Sequence, residues 1–319
     1  MPDLSIIIPA RNEIFLQKTI DNILENIEAD TEIIPVCDGY WPNPPIVDNP
    51  RIALLHYSKS IGQRAATNAG ARLSKARYIM KVDAHCAFDK GFDRKLIADC
   101  EADWTVIPRM YNLHAFDWVC KCGARIYQGP QPEKCESCEG KEFQKELVWR
   151  PRLRHRSDYM RFDAGLIFQY WREYERRPEA KGEITDLMSS IGACWFMRRK
   201  RYWELDGSDE KHGSWGQMGT EMACKAWLSG GRHVVNKKTW FAHMFRTQQG
   251  FGFPYRMEGG AVEKAREHSR KMWRGKLWPR AVHPLSWLVE KFWMVPGWTD
   301  EDLEGLKAHE RGEHEATDH

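Results

Sequence analysis

The first 82 residues alternate short β-branched runs with segments of helical periodicity, and that alternation restricts the possible folds more than any other feature of the chain. Leu4-Ser5-Ile6-Ile7-Ile8-Pro9 is an apolar run closed by a proline, the mark of a buried strand. Leu16, Ile20, Ile23, Leu24 and Ile27 then recur at three- and four-residue steps, which gives a helix one apolar face. Glu32 to Cys37 reads as a second strand ending at Asp38-Gly39, Ile52 to His56 as a third, and Tyr78 to Val82 as a fourth. A helix is expected over Gly62 to Leu73. Strands and helices in turn predict βαβ units: an α/β fold whose sheet is mixed, mostly parallel and flanked by helices.

The pattern breaks at residues 118–148, which hold Cys120, Cys122, Cys135 and Cys138 among Gly and Pro. Four thiolates in two close pairs can surround Zn²⁺ tetrahedrally in a segment too small for a core of its own. Free thiols or two disulfides are the other readings. The first pair is C-x-C, tighter than the common C-x-x-C. The chain has nine cysteines, an odd number that suits a reducing compartment. Met1-Pro2-Asp3 runs straight into the first strand without the basic and apolar regions of a secretory leader. No apolar run approaches the ~18 to 20 residues that span a bilayer. The expected location is therefore the cytoplasm, a host cell's if the protein is viral. Beyond 148 comes Trp149-Arg150-Pro151-Arg152-Leu153-Arg154-His155-Arg156, then Tyr159 and Arg161. Arginines interleaved with aromatics suit phosphate contact and base stacking; a solvated basic face is the plainer alternative. Net charge, +3, decides nothing here. Fifteen tryptophans could fill a core or stack on sugars and bases. The last ~20 residues, rich in Glu, Asp, His and Lys, are expected to be frayed or disordered.

Asp83-Ala84-His85 follows the fourth strand directly. Open α/β sheets bind ligands at the carboxyl ends of their strands. An i, i+2 spacing there lets a carboxylate and an imidazole face one cleft, a donor pair suited to a borderline divalent ion. Alone, such a triplet is as well read as a turn cap and a satisfied histidine.

Several segments together carry a resemblance. Ile6 to Glu13 resembles the opening strand and nucleotide-binding loop of the GT-A-fold glycosyltransferases, in particular the family-2-like group and the polypeptide N-acetylgalactosaminyltransferases. Asp38, Gly62 to Gly70, Asp83-Ala84-His85-Cys86, Ile191 to Glu210, Trp215-Gly216 with Glu221, and Trp240 to Arg246 resemble later elements of the same enzymes, in the same order. The resemblance implies a GT-A (Rossmann-like) sheet with a small Cys-rich insertion. Its four parts are a nucleotide-sugar-binding half (1–117), the insertion (118–148), an acceptor-side half (149–254) and a C-terminal helical extension with an acidic tail (255–319). It implies a nucleotide-sugar donor, UDP-linked by analogy. Donor contacts would come from Pro9, Ala10, Arg11, Glu13, Asp38, Gly62, Arg64, Asn68, Asp83 and Trp215. Mn²⁺, or Mg²⁺, would be held by Asp83, His85 and His243.

Where the family places an acidic pair after Trp-Gly, this chain reads Gln217-Met218-Gly219. Glu221 is the nearest carboxylate, as a catalytic base or as a structural group at a helix start. Asp209 or Glu210 could contact acceptor or sugar hydroxyls. A retaining mechanism would need no dedicated base. The zinc module beside a basic stretch points to a nucleic-acid acceptor, such as a hydroxymethylated base in phage DNA. A protein or glycan acceptor, and a catalytically inactive zinc-containing nucleic-acid binder, are the competing readings. A nucleotidyltransferase would carry glycines after the first strand, which Pro9-Ala10-Arg11-Asn12-Glu13 lacks. Oligomeric state has no signature in the sequence.

Overall fold

The structure is a computed structural model, and it describes residues 1–213, 215–245 and 260–313. Arg246 and the tail beyond 313 lie outside the described residues.

Strand β1 (Leu4–Ala10) is buried along its whole length, as its continuous apolar sequence requires. Helix α1 (Leu16–Asn26) turns Leu16, Ile20 and Ile23 inward. Strand β2 (Thr31–Asp38) lies parallel to β1, with Ile6 opposite Ile33. Strand β3 (Leu55–Tyr57) follows a long loop and is shorter and later than expected. Ile52, counted as strand from its sequence, makes only an isolated bridge to Ile33. Helix α2 (Gln63–Leu73) returns the chain to strand β4 (Tyr78–Val82), which pairs parallel with the other side of β1. Gly70 makes this packing possible: a Cβ there would lie 2.6 Å from Ile7 Cγ2. The strand order 3-2-1-4 reverses at β1, so the crevice between the carboxyl ends of β1 and β4 is the topological switch point.

The remaining elements extend the sheet and make it mixed. Strand β5 (Cys86–Phe88) and helix α3 (Phe92–Asp99) precede β6 (Trp104–Cys120). The chain then forms β7 (Arg125–Tyr127), β8 (Phe143–Ser157) and a small hairpin of β9 (Met160–Phe162) with β10 (Phe168–Tyr170). After β11 (Ile184–Asp186), β12 (Cys194–Arg198) inserts antiparallel beside β4. Helices α4 (Arg199–Glu204) and α5 (Met218–Leu228) lead to β13 (Arg232–His243), which lies parallel to β6. The result is one eleven-stranded sheet with the path 11-13-6-12-4-1-2-3.

Strands β6 and β8 form a long antiparallel hairpin with two irregularities, and β7 pairs on the same strand near its tip. Residues 118 and 148 therefore lie within continuous strands, and the cysteines cap a hairpin that grows out of the main sheet. Phe15, Phe116, Trp118 and Trp149 pack beneath it as a second apolar cluster. Tryptophan is used mainly for the core: Trp195, Trp227 and Trp273 are among the largest fully buried side chains.

The C-terminal part is helical, as its sequence suggests, with α6 (Ala261–Arg274), α7 (Leu285–Lys291) and α8 (Asp300–Glu310). Helix α8 corrects the expectation of a frayed end from about residue 300. Thr299 and Asp302 form a capping box at its start, and Leu303 and Leu306 are buried. No helix among the described residues is long and apolar enough to cross a membrane.

Candidate active site

Asp83 leaves the sheet at the end of β4, its N–H donating to Ala193 O over 2.8 Å. Strand alternation puts Lys81 on the same side, two residues earlier. The buried Lys81 ammonium donates to Asp83 Oδ1 and, over 2.6 Å, to Gly192 O. Gln63 Nε2 donates to the same carboxylate oxygen over 3.2 Å. Burial alone would raise the Asp83 pKa, but Lys81 and the hydrogen bond with His243 outweigh it and hold the carboxyl well below the usual range.

β13 is what delivers the third side chain. Its last residues pair antiparallel with β5, His243 opposite Cys86, and Met244 N–H donates to His85 O over 3.2 Å. His243 Nε2 thereby lies 3.3 Å from Asp83 Oδ2 and 3.0 Å from His85 Nε2. Glu13 Oε2 lies 2.9 Å from His85 Nδ1 and is buried beside it. That carboxylate accepts a hydrogen bond from Nδ1–H and so orients the ring with Nε2 toward His243. Burial lowers the His243 pKa to about 4, which keeps that ring neutral near pH 7. Candidate ligand atoms from Asp83, His85 and His243 all lie within 4.8 Å of one another. One carboxylate oxygen and two imidazoles, one of them oriented from behind, fit a borderline divalent cation.

The three residues line one wall of a cleft of about 440 Å³. Ser190 to Ala193 form its floor, and Trp215 to Thr220, Phe168, Tyr170 and Phe245 enclose it. Asp83 is the only carboxylate on this lining among the described residues. At Gly219 an acidic side chain has no room: a Cβ there would lie 1.7 Å from Ser190 O.

Other expected site residues lie nearby but serve the scaffold. Pro9 and Ala10 close β1, and Arg11 donates to Asp38 O over 3.0 Å. Asp38, expected to touch base or ribose, is fully buried; its carboxylate accepts from Ser60 Oγ and from the Ile61 and Gly62 N–H groups over 2.6–3.0 Å. Arg64 donates to Glu221 over 2.9 Å and to Gly213 and Gly216 carbonyls, fixing the loop that carries Trp215. Asn68 binds Ser208 and Glu210 and fixes the same loop further back. Glu221 itself has no exposed surface: it accepts from Arg64, from Lys225 over 2.9 Å and from Asp209 N–H over 2.6 Å. Both its oxygens are taken, so of its two expected roles only the structural one matches this placement. Asp209 is likewise away from the cleft lining, bonded to His268 over 2.7 Å. Gln63, Lys81 and Tyr170 were not singled out by sequence; the i, i+2 relation of Lys81 to Asp83 was the available signal for one of them.

A second cavity of about 490 Å³ adjoins the first, sharing Tyr170 and Phe245, and is lined by His155, Arg156, Asp158 and Arg172. It opens beside the basic end of β8. Arg150 and Arg154, elsewhere on β8, are exposed. Arg152 lies over the Tyr127 ring, and Arg156 pairs with Glu175.

At the hairpin tip, Cys120 Sγ is 3.5 Å from Cys138 Sγ, and Cys122 Sγ is 3.6 Å from Cys135 Sγ. Those separations far exceed the ~2.05 Å of a disulfide. They approach the ~3.8 Å edge of a thiolate tetrahedron with ~2.3 Å metal–sulfur bonds. Two turns shape the site: Gly123 N–H donates to Cys120 O, and Cys135 N–H donates to Gly140 O, each over 2.8 Å. The backbone N–H of Ser137 heads the causes that lower the Cys135 thiol to about 6.

Residues 5–115 match the model of the glycosyl transferase family 2. Over those residues the chain is similar to that family's domain. The matched stretch supplies β1, β4 and Asp83-Ala84-His85, two of the three clustered residues. Among curated proteins, the chain is 21% identical over 272 residues to the putative polypeptide N-acetylgalactosaminyltransferase 13 of Drosophila melanogaster, covering 79% of this chain and 43% of the relative. It is 32% identical over 103 residues to the probable N-acetylgalactosaminyltransferase 8 of Caenorhabditis elegans, covering 31% and 23%. The chain thus spans less than half the length of these relatives. Among solved structures, GalNAc-T7 with UDP, GalNAc and Mn²⁺ superposes with a TM-score of 0.60 at 15% identity, over 97% of this chain and 55% of the other. That likeness shows the fold, the GT-A arrangement expected from the sequence.

Proposed function

We propose that the chain is a metal-dependent glycosyltransferase that moves a sugar from a nucleotide-sugar, UDP-linked, to a hydroxyl acceptor. The observation that carries this is the convergence of Asp83, His85 and His243 on one wall of a cleft at the carboxyl end of the sheet. The GalNAc-T7 structure contains UDP and Mn²⁺, and the donor set here suits the same class of ion. Asp83 Oδ2, His85 Nε2 and His243 Nε2 would hold Mn²⁺ or Mg²⁺, which when bound neutralises charge on a departing diphosphate. Lys81 and Gln63 fix the Asp83 carboxylate, and Glu13 fixes the His85 ring. The apolar walls from Trp215 and Phe245 limit water at the reacting carbon. Among the described residues Asp83 is the sole carboxylate on the lining, and none there stands as a separate base for the acceptor hydroxyl. A retaining course, in which the leaving diphosphate receives that proton, fits this lining.

The four clustered cysteines would hold a structural Zn²⁺, supported by their sulfur separations, and their free thiols fit a reducing, cytoplasmic setting. For the acceptor, the exposed arginines of β8 together with Arg156 and Arg172 on an aromatic cavity favour a nucleic acid, with a hydroxymethylated base in phage DNA as one concrete form. A peptide or glycan hydroxyl is the competing acceptor, as the relatives' names suggest. The test is sugar transfer from a panel of nucleotide-sugars, with and without Mn²⁺, to hydroxymethylated duplex DNA, serine- and threonine-bearing peptides, and oligosaccharides. Mn²⁺-dependent transfer or hydrolysis supports the enzyme reading, and the acceptor labelled decides the class. Absence of turnover with every donor would overturn it.

A further inference from the structure

Away from the cleft and the cysteines, Asp209, His212 and His268 form another compact group. Their candidate ligand atoms lie within 4.8 Å of one another. His212 sits in a short 3-10 helix (Glu210–His212), and His268 comes from α6, so two separate parts of the chain meet here. His212 has no exposed side chain. Its Nε2 lies 3.0 Å from Ser269 Oγ, while its buried Nδ1 has no hydrogen-bond partner among the described residues. The nearest oxygens to that nitrogen are Asp209 Oδ2 at 3.4 Å and Glu221 Oε2 at 3.8 Å. Glu221 is already committed to Arg64 and Lys225. Asp209 Oδ2 is taken by His268 Nε2 at 2.7 Å, and Oδ1 by Lys211 N–H. One carboxylate oxygen thus faces two imidazoles and satisfies one of them.

We propose that Asp209 Oδ2, His212 Nδ1 and His268 Nε2 form a further divalent-cation site, of the zinc class, that ties α6 to the loop carrying Trp215 and Gly216. Two imidazole nitrogens and one carboxylate oxygen are a common protein set for zinc, with a fourth position left for water. The orienting bonds of such a site are in place: Ser269 holds the far nitrogen of His212, and Lys211 N–H holds the far oxygen of Asp209. The His268 and Asp209 side chains are 23% and 20% exposed, so an ion has a path in. The consequence for the cleft is direct. Gly216 packs on α6, where an added Cβ would lie 3.6 Å from Ala265 Cβ, and Trp215 and Gly216 both line the cleft. An ion here would clamp the helix that backs that wall.

The test is metal content of the full chain. Protein stripped with a chelator, reloaded with Zn²⁺ and desalted is analysed for zinc, beside His268→Gln, Asp209→Asn and Cys135→Ser. The expected result is one zinc per chain lost in His268→Gln and in Asp209→Asn, and a further one lost when either is combined with Cys135→Ser. His268→Gln keeps bulk at a partly exposed position, and circular dichroism confirms that each variant is folded. Equal zinc content in wild type, His268→Gln and Asp209→Asn would overturn the site. The experiment does not depend on glycosyl transfer.

Discussion

At the scale of single residues, burial decides what each ionisable group can do. Glu221 is the clearest case, a carboxylate with no exposed surface between Arg64 and Lys225. Removing its charge leaves two buried cations short of a partner, a loss of about 3–5 kcal/mol. Glu221→Gln should therefore lower the urea midpoint strongly. If Glu221 were the catalytic base, the variant would instead keep its stability and lose kcat alone. His233 in β13 shows the same principle with a base. Both ring nitrogens are buried without partners, and burial lowers its pKa from 6.5 to about 3. The unfolded chain then binds a proton that the folded chain refuses, so stability rises with pH between about 3 and 6.5. From this residue the protein should be about 2 kcal/mol less stable at pH 5 than at pH 7. Urea titrations at both pH values check it: His233→Leu should reduce the pH 5 deficit by that amount, and an unchanged deficit would assign it elsewhere.

At the scale of elements, the cleft exists because β5 and β13 pair at their ends and because α5 starts hard against the Ser190–Gly192 segment. Gly219→Ala would place a methyl group into Ser190 O. The expected cost is at least ~1–3 kcal/mol, seen as a lower Tm, together with loss of donor binding as the wall shifts. Stability equal to wild type would mean that the segment has room to move. Local pattern revealed the first four strands and two helices because each is a continuous or periodic apolar run. It located Asp83 and His85 for the same reason, since they follow β4 directly. The placing of His243 next to them depended on resemblance, because no local signal says that β13 ends against β5. Asp38, Arg64 and Asn68, expected as donor contacts, make hydrogen bonds within the scaffold, because a polar residue in a motif can hold the loop that carries the ligand's partners. Only their hydrogen-bond partners separate that role from ligand contact. Thr299 and Asp302 formed a legible cap, but the charged composition around them hid a helix whose two leucines reach the core.

At the scale of the whole molecule, the described residues hold three groups of metal-type ligands on one scaffold: in the cleft, at the hairpin tip and between α6 and the segment of Asp209 and His212. Removing the cysteine-held ion should loosen the hairpin tip and leave the sheet intact. Hydrogen exchange after mild chelation would then rise across 118–148 and not across β1 or β4; protection lost throughout would mean that the tip is part of the global fold. The central claim concerns the cleft, where donor and cation should bind together and stabilise the folded chain in proportion to concentration. The most direct measurement is thermal unfolding of wild type and Asp83→Ala with a UDP-sugar, with and without Mn²⁺. The account expects wild-type Tm to climb with donor concentration only when Mn²⁺ is present, and expects no such climb in Asp83→Ala. An equal rise in both proteins, or none in wild type with any nucleotide-sugar, would contradict it.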